Sequence, residues 1–248
     1  MVASNFFDNL PPDLVVGDNA AEQRLLREYG AVFIARGGVV PPNKVVFRDD
    51  DEVAEFQSRI GIAGAEIGGF NVELQSVAMA DLLRAVDEAA SSGLSVTPRG
   101  ADSARRNYNG TVDLWHSRVE PALVHWLSKG RLTAETADRI RSLPPHAQVP
   151  EVFVLEEEGI YFAKDLSKSI IYSVAPPGAS QHLSMLAFDV AEFDDPRVRA
   201  ILARHRWYQT VVSDLPHFTY LGVDQETLAE LGLKGVTHLE REFWIPDI

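Results

Sequence analysis

Apolar residues recur three or four positions apart over some stretches of the chain and alternate over others, and the two periods predict different elements. Leu25, Leu26 and Tyr29 fall on one face of a predicted helix over 19–29. The acidic run Asp49–Glu52 precedes AEFQSRIGI, and acids in a first turn favour the helix dipole, so the run reads as a solvated helix start. Residues 77–90 carry a strong amphipathic pattern, closed by Ser91, Ser92 and Gly93. TVDLWHSRVEPALVHWLSKG predicts a longer helix in which Pro121 marks a kink or break. Shorter helices are expected over 132–142, 196–205 and 224–232.

Strand signals lie between and after these. VFIARGGVVPPNKVVF reads as two short strands around a Gly-Gly and Pro-Pro turn, and LSVT (94–97) as one more. EVFVLEEEGIYFA predicts a hairpin, and KSIIYSV, MLAFDV, WYQTVVS and HFTYLG are strand-like. Helices first and strands later, without βαβ alternation, predict an α+β fold. The expected form is a small antiparallel sheet covered by helices, with a mainly helical N-terminal portion. No internal repeat, low-complexity tract or composition shift marks a linker. The expectation is a single domain over 1–248: an N-terminal portion (1–93), a core (94–222) and a C-terminal cover (223–248).

Composition narrows the function classes. The hydrophobic fraction of 46% and the charged fraction of 24% suit a folded soluble chain. No apolar run is long enough to span a bilayer. The net charge of -13 repels phosphate backbones, so nucleic acid is not an expected partner. There are no cysteines, which excludes disulfides, thiolate zinc sites and cysteine nucleophiles. Any metal site must therefore use His, Asp and Glu, a set that favours catalytic over structural zinc. The start, MVASNFFDNLPPD, has no basic n-region and no long apolar h-region, so it does not read as a signal peptide.

The segment APPGASQHLSMLAFDV (175–190) poses a chemical question. The Pro-Pro-Gly turn leads into Ser180 and His182, and the apolar run that follows ends on Asp189, an acid where a buried strand prefers an aliphatic residue. A strand places Ala187 and Asp189 on one face. His182 must then sit on the preceding loop and fold back towards them. In SDLPHFTYLG, His217 opens a second strand, and Asp214 stands three residues before it with Pro216 between. His182, Asp189 and His217 are candidate metal ligands, and Asp214 is a candidate acid for moving protons at the site. Taken singly, each has a plainer role. A histidine near an apolar strand is usually a surface or satisfied core residue. Asp189 suits a strand end, and Asp214 suits a turn. The order and combination raise the metal reading.

SQHLSMLAFD resembles the SxHxxGxAxD motif of the zinc D-alanyl-D-alanine carboxypeptidases and dipeptidases, and DLPHF resembles their second motif, an acid, two residues, then His. That family includes phage endolysins cleaving L-alanyl-D-glutamate bonds. The resemblance covers about residues 94–222. It implies one Zn2+ per chain held by His182, Asp189 and His217, with Asp214 as catalytic base where many members carry Glu. RNYNGTVDL resembles the family's upstream arginine motif, which makes Arg106 a substrate-binding and catalytic residue, with Arg99 and Arg105 as rivals in the same loop. Met185 stands at the motif's Gly position, a departure that bears on substrate fit. The implied activity is hydrolysis of peptidoglycan stem peptides or other D-amino-acid peptides by a metallopeptidase of the carboxypeptidase type. The alternatives are an L-Ala-D-Glu endopeptidase, a D-Ala-D-Ala dipeptidase, or a zinc-binding interaction module without turnover. The implied partner is peptidoglycan or a small peptide. The implied location is periplasmic or secreted if a leader has been removed, with the cytoplasm left open.

Other residues carry less. Ser180 is expected to hydrogen-bond the loop or substrate, and Thr219, on the His217 face, to support that ligand. His116, His125, His146, His205 and His238 read as structural or surface residues, and Trp207 and Trp244 as core. RGGVV lacks the Gly-Lys-Ser/Thr of a phosphate loop.

Overall fold

The computed structural model describes residues 5–17 and 19–248; residues 1–4, part of the stretch read for a leader, lie outside it with Asp18. The fold is α+β, with small antiparallel sheets among helices. The helices are α1 (Ala20–Tyr29), α2 (Asp50–Ser58), α3 (Ser76–Ser91), α4 (Tyr108–Ser128), α5 (Ala134–Ser142), α6 (Pro145–Glu157), α7 (Pro196–Arg204) and α8 (Gln225–Leu228). The strands are β1 (Ile62–Ile67), β2 (Phe70–Gln75), β3 (Ala187–Asp189), β4 (Trp207–Tyr208), β5 (His217–Tyr220), β6 (Leu233–His238) and β7 (Arg241–Pro246).

Helix starts follow the side-chain oxygens. Asn19 and Asp49 cap α1 and α2 by accepting from the N–H groups of Glu22 and Glu52, so the acidic run is a helix start as expected. Helices α3, α4 and α6 end alike: Gly93, Gly130 and Gly159 take positive φ, and the next N–H closes on the carbonyl five residues back. Pro121 neither breaks nor ends α4; it sits on an exposed position and the helix runs through it.

Several strand expectations are corrected. EVFVLEEEGIYFA is not a hairpin. Val149, Val152, Phe153 and Glu156 are buried at helical spacing in α6, and EEEG is a helix end rather than a turn. KSIIYSV holds a 3₁₀ turn, Ile170–Tyr172, because the buried Glu156 carboxylate accepts from Ser169 Oγ (2.5 Å) and the Ile170 N–H (2.6 Å) and curls the chain around itself. VFIARGGVVPPNKVVF gives a 3₁₀ turn over Gly30–Ile34 and then irregular chain; Pro41 and Pro42 have no N–H to offer a ladder. LSVT is extended but reaches β3 only through the bridge Pro98–Val190. WYQTVVS shortens to the two residues of β4. Two hairpins lie where no strands were expected. β1 and β2 turn on Gly68 and Gly69, and β6 and β7 on Leu239 and Glu240, all four at positive φ.

The central sheet has the order β3-β5-β4, antiparallel throughout, with Asp189 opposite His217 and Tyr208 opposite Thr219. Its far face is packed by Phe188, Trp207 and Tyr220, whose rings meet edge-on or tilted, so Trp207 is core as expected. Leu26, Trp115 and Phe162 belong to the same large core. A smaller cluster of Phe47, Phe56, Tyr108, Leu183 and Met185 lies under the loop that carries His182. Among the described residues no helix is long and apolar enough to cross a membrane.

Candidate metal centre

The turn at 176–178 sets the site. Gly178 has φ of 77°, and a Cβ there would lie 1.8 Å from the Phe47 carbonyl oxygen, so only glycine fits this approach. The Gly178 carbonyl accepts from the Phe47 N–H at 3.0 Å. The chain then makes a 3₁₀ turn, Gln181–Ser184, and reverses into β3 through Met185, which is left-handed at φ 59° and ψ 30°. The motif's Gly position is thus a position that glycine adopts freely. Met185 keeps that backbone and buries its side chain completely in the small apolar cluster.

The turn folds His182 back onto β3, as the spacing requires. The ligating atoms of His182, Asp189 and His217 lie within 4.8 Å of one another, and the group is buried. Asp189 Oδ1 is 3.2 Å from His182 Nε2 and 3.2 Å from His217 Nδ1. The two imidazole rings stand edge-on at 4.9 Å.

The far side of each ring fixes its tautomer. His182 Nδ1–H donates to the Ala104 carbonyl at 2.8 Å. Gln181 Nε2 donates to the Tyr29 carbonyl at 2.8 Å, which orients the amide so that its Oε1 can only accept. That oxygen receives His217 Nε2–H at 2.9 Å and the Thr219 hydroxyl at 2.5 Å. The inner nitrogens, His182 Nε2 and His217 Nδ1, are then bare lone pairs in the neutral rings. They converge with a carboxylate oxygen on one point. Three acceptors at this spacing repel unless a cation lies between them. A proton satisfies one pair; a metal ion satisfies all three. Burial lowers the His182 pKa, which keeps that ring neutral and metal-competent. Asp189 is also buried, which works against its charge, but His182 and His217 outweigh this and hold the carboxyl well below the usual range. The group could therefore hold a metal ion.

The polar loop 98–107 is the scaffold behind this group. It supplies the Ala104 carbonyl, accepts the Asp189 N–H at Ser103 O (2.8 Å), and gives the Arg99 N–H to Asp189 O (3.1 Å). From its end, Arg106 Nη2 reaches Asp189 Oδ2 at 2.9 Å, while its Nε donates to the Asp102 carbonyl at 3.0 Å. Arg106 thus grips the second oxygen of the candidate ligand and also lines the cleft. Of its rivals, Arg105 points away to Gln57 and Glu73, and Arg99 lines the cleft without a carboxylate partner.

The group opens into a cleft of about 300 Å³. Asp214 lies on its wall, exposed, with no hydrogen bond or ion pair on its carboxylate among the described residues, and outside the three-residue group. Ser180 also lines the cleft; its hydroxyl caps no N–H and has no hydrogen-bond partner among the described residues. Thr219 stands behind His217 as expected, bonded to Gln181 and, at 2.6 Å, to Thr210. Sequence spacing did not single out Gln181, Tyr29 or Arg118, which also belong to this cleft. Gln181 was the most accessible of these, an amide directly before the candidate histidine. None of the other histidines joins a group of three ligating residues among the described residues; His205 pairs with Glu88 at 2.8 Å. A larger cavity of about 500 Å³ lies between α1 and α6, but it holds one ion pair, Lys44–Glu52, and no convergent ligand set.

No protein-family model, curated protein or solved structure matches the chain.

Proposed function

We propose that the protein is a zinc peptidase that hydrolyses peptidoglycan stem peptides or other D-amino-acid peptides, in the manner of a D-alanyl-D-alanine carboxypeptidase. The observation that carries this reading is the convergence of His182 Nε2, Asp189 Oδ1 and His217 Nδ1, with the outer ring nitrogens tied to carbonyl oxygens. Two imidazoles and a carboxylate form a catalytic zinc set, because three protein ligands leave one tetrahedral position open. Carbonyl partners behind each histidine are the usual second support of such a site. Zinc, when bound, supplies a Lewis acid for the scissile carbonyl and lowers the pKa of water.

The remaining steps belong to the chain's own residues. Asp214, unpaired on the cleft wall, takes a proton from the attacking water and passes it to the leaving amine. Arg106 neutralises Asp189 Oδ2 and keeps the ligand carboxylate aimed at the metal, so its first task is positioning. Contact with substrate is its second. Ser180 offers its free hydroxyl to the bound peptide.

The test uses purified protein with added zinc and three kinds of peptide: one ending in D-Ala-D-Ala with a free carboxylate, the same peptide amidated, and one containing an L-Ala-D-Glu bond. Release of D-Ala from the free acid alone supports the carboxypeptidase reading. Cleavage of the blocked peptide at L-Ala-D-Glu moves the assignment to an endopeptidase. Zinc binding with no cleavage of any peptide leaves a non-catalytic zinc-binding module.

A further inference from the structure

The wall of the cleft away from the metal group carries an unassigned set of cations. Arg118, on α4, lines the cleft. Its Nε donates to Ser173 Oγ at 2.9 Å and its Nη1 to Ser117 Oγ at 2.9 Å. Among the described residues it makes no ion pair, and its Nη2 has no partner. Two hydroxyls and the Ser117 carbonyl, to which Nη1 also donates at 3.5 Å, are all neutral, so they hold the guanidinium in place and leave its charge uncompensated. Ser173 and Tyr172 are shared with an adjoining open depression that also contains Lys164 and Lys168. Both lysines are exposed and neither makes an ion pair among the described residues; they are two of the chain's five. Tyr172, between the two hollows, is 43% exposed.

Charge gives this arrangement its meaning. The chain carries 36 acids against 23 Lys and Arg. Near the metal group the charges largely balance, since Arg106 is paired with Asp189 and lies 3.9 Å from Asp102. In the outer depression Lys164 and Lys168 share the lining with one acid, Asp165, whose carboxylate accepts from the Ser167 N–H. A local positive surface on a strongly negative chain attracts anions. A fixed guanidinium with a free edge suits a carboxylate.

We propose that this outer end is a subsite for an acidic peptide, with one carboxylate on Arg118 and further ones on Lys164 and Lys168, its chain passing over Tyr172. The proposal rests on the reading of the cleft as a peptidase site for the identity of the ligand as a peptide, and it goes beyond that reading by assigning acidic side chains to the part of the ligand remote from the metal.

The test is fluorescence anisotropy of two labelled peptides, tetra-glutamate and tetra-glutamine, on the full chain. The expected result is binding of tetra-glutamate that weakens as salt rises, with tetra-glutamine at least about tenfold weaker. Arg118→Gln should weaken tetra-glutamate about tenfold. Lys164→Glu with Lys168→Glu, both on exposed positions that the fold does not need, should do the same, and Lys129→Glu, exposed elsewhere, should change nothing. Equal affinity for the two peptides, or equal loss from Lys129→Glu, would overturn the subsite whatever the protein hydrolyses. Selective tetra-glutamate binding that depends on Arg118, in a protein that cleaves no peptide, would keep the subsite and remove the peptidase reading.

Discussion

Asp189 and His217 face one another across the antiparallel pair β3–β5, and the Asp189 carboxylate meets the His217 ring at 3.2 Å through Nδ1, the nitrogen that carries no proton. The register that pairs these two strands thus also builds two-thirds of the candidate ligand set. His182 completes it from the turn before β3. The back of each ring is as specific as the front, and this yields the first prediction.

Gln181→Ala removes the acceptor of His217 Nε2–H and frees the ring to take the other tautomer. Zinc affinity should fall about 10–100-fold, the usual cost of losing the group behind a metal-bound histidine. Competition with a chromogenic chelator measures it. Unchanged affinity would mean that the His217 tautomer is set by something else.

Met185→Gly separates two effects at one position. Glycine relieves left-handed strain of about 1–2 kcal/mol. It also empties a completely buried side chain, which costs about 2–5 kcal/mol. The variant should be destabilised by about 1–3 kcal/mol in urea melts, with zinc affinity unchanged. A more stable variant would show that the Met185 side chain contributes little to packing.

Gly178→Ala meets both obstacles at once, a φ of 77° and a Cβ 1.8 Å from the Phe47 carbonyl oxygen. A loss on the order of 3 kcal/mol or more is expected, and with it the zinc site, because this turn delivers Ser180 and His182 to the cleft. Thermal melts and metal content report the two losses together. A variant with native stability would place the constraint on His182 elsewhere.

Asp214→Asn leaves the three ligands untouched. It should retain zinc and lower peptide hydrolysis by about 10²–10⁴-fold, the range for a missing general base. Retained hydrolysis at full zinc content would remove Asp214 from the mechanism.

Much of the site was legible because its chemistry is out of place in its local pattern. An acid at the end of an apolar strand and a histidine after Pro-Pro-Gly stand out in any reading of 175–190. The metal group is also local to two strands and one turn, and both strands were recognised. What lay behind the group was not legible. The Tyr29, Ala104 and Gln181 contacts join segments far apart in the chain, and two of the three use backbone carbonyls, which every residue has. The fold errors have similar causes. Alternating Val and Phe in EVFVLEEEG mimicked a strand until the buried set proved to follow helical spacing. The turn of β6–β7 uses Leu239 and Glu240, neither of which signals a turn. The β1–β2 turn, by contrast, was written plainly in Gly68-Gly69 between alternating residues. The resemblance singled out Arg106 for substrate; the contact that the fold gives it is with Asp189, a candidate ligand.

The most direct test of the central claim is the zinc content of the purified protein, measured by elemental analysis beside the His182→Ala variant. One zinc per chain in the native protein, lost in the variant, is the predicted result. No zinc in the native protein after saturation and desalting would contradict the account.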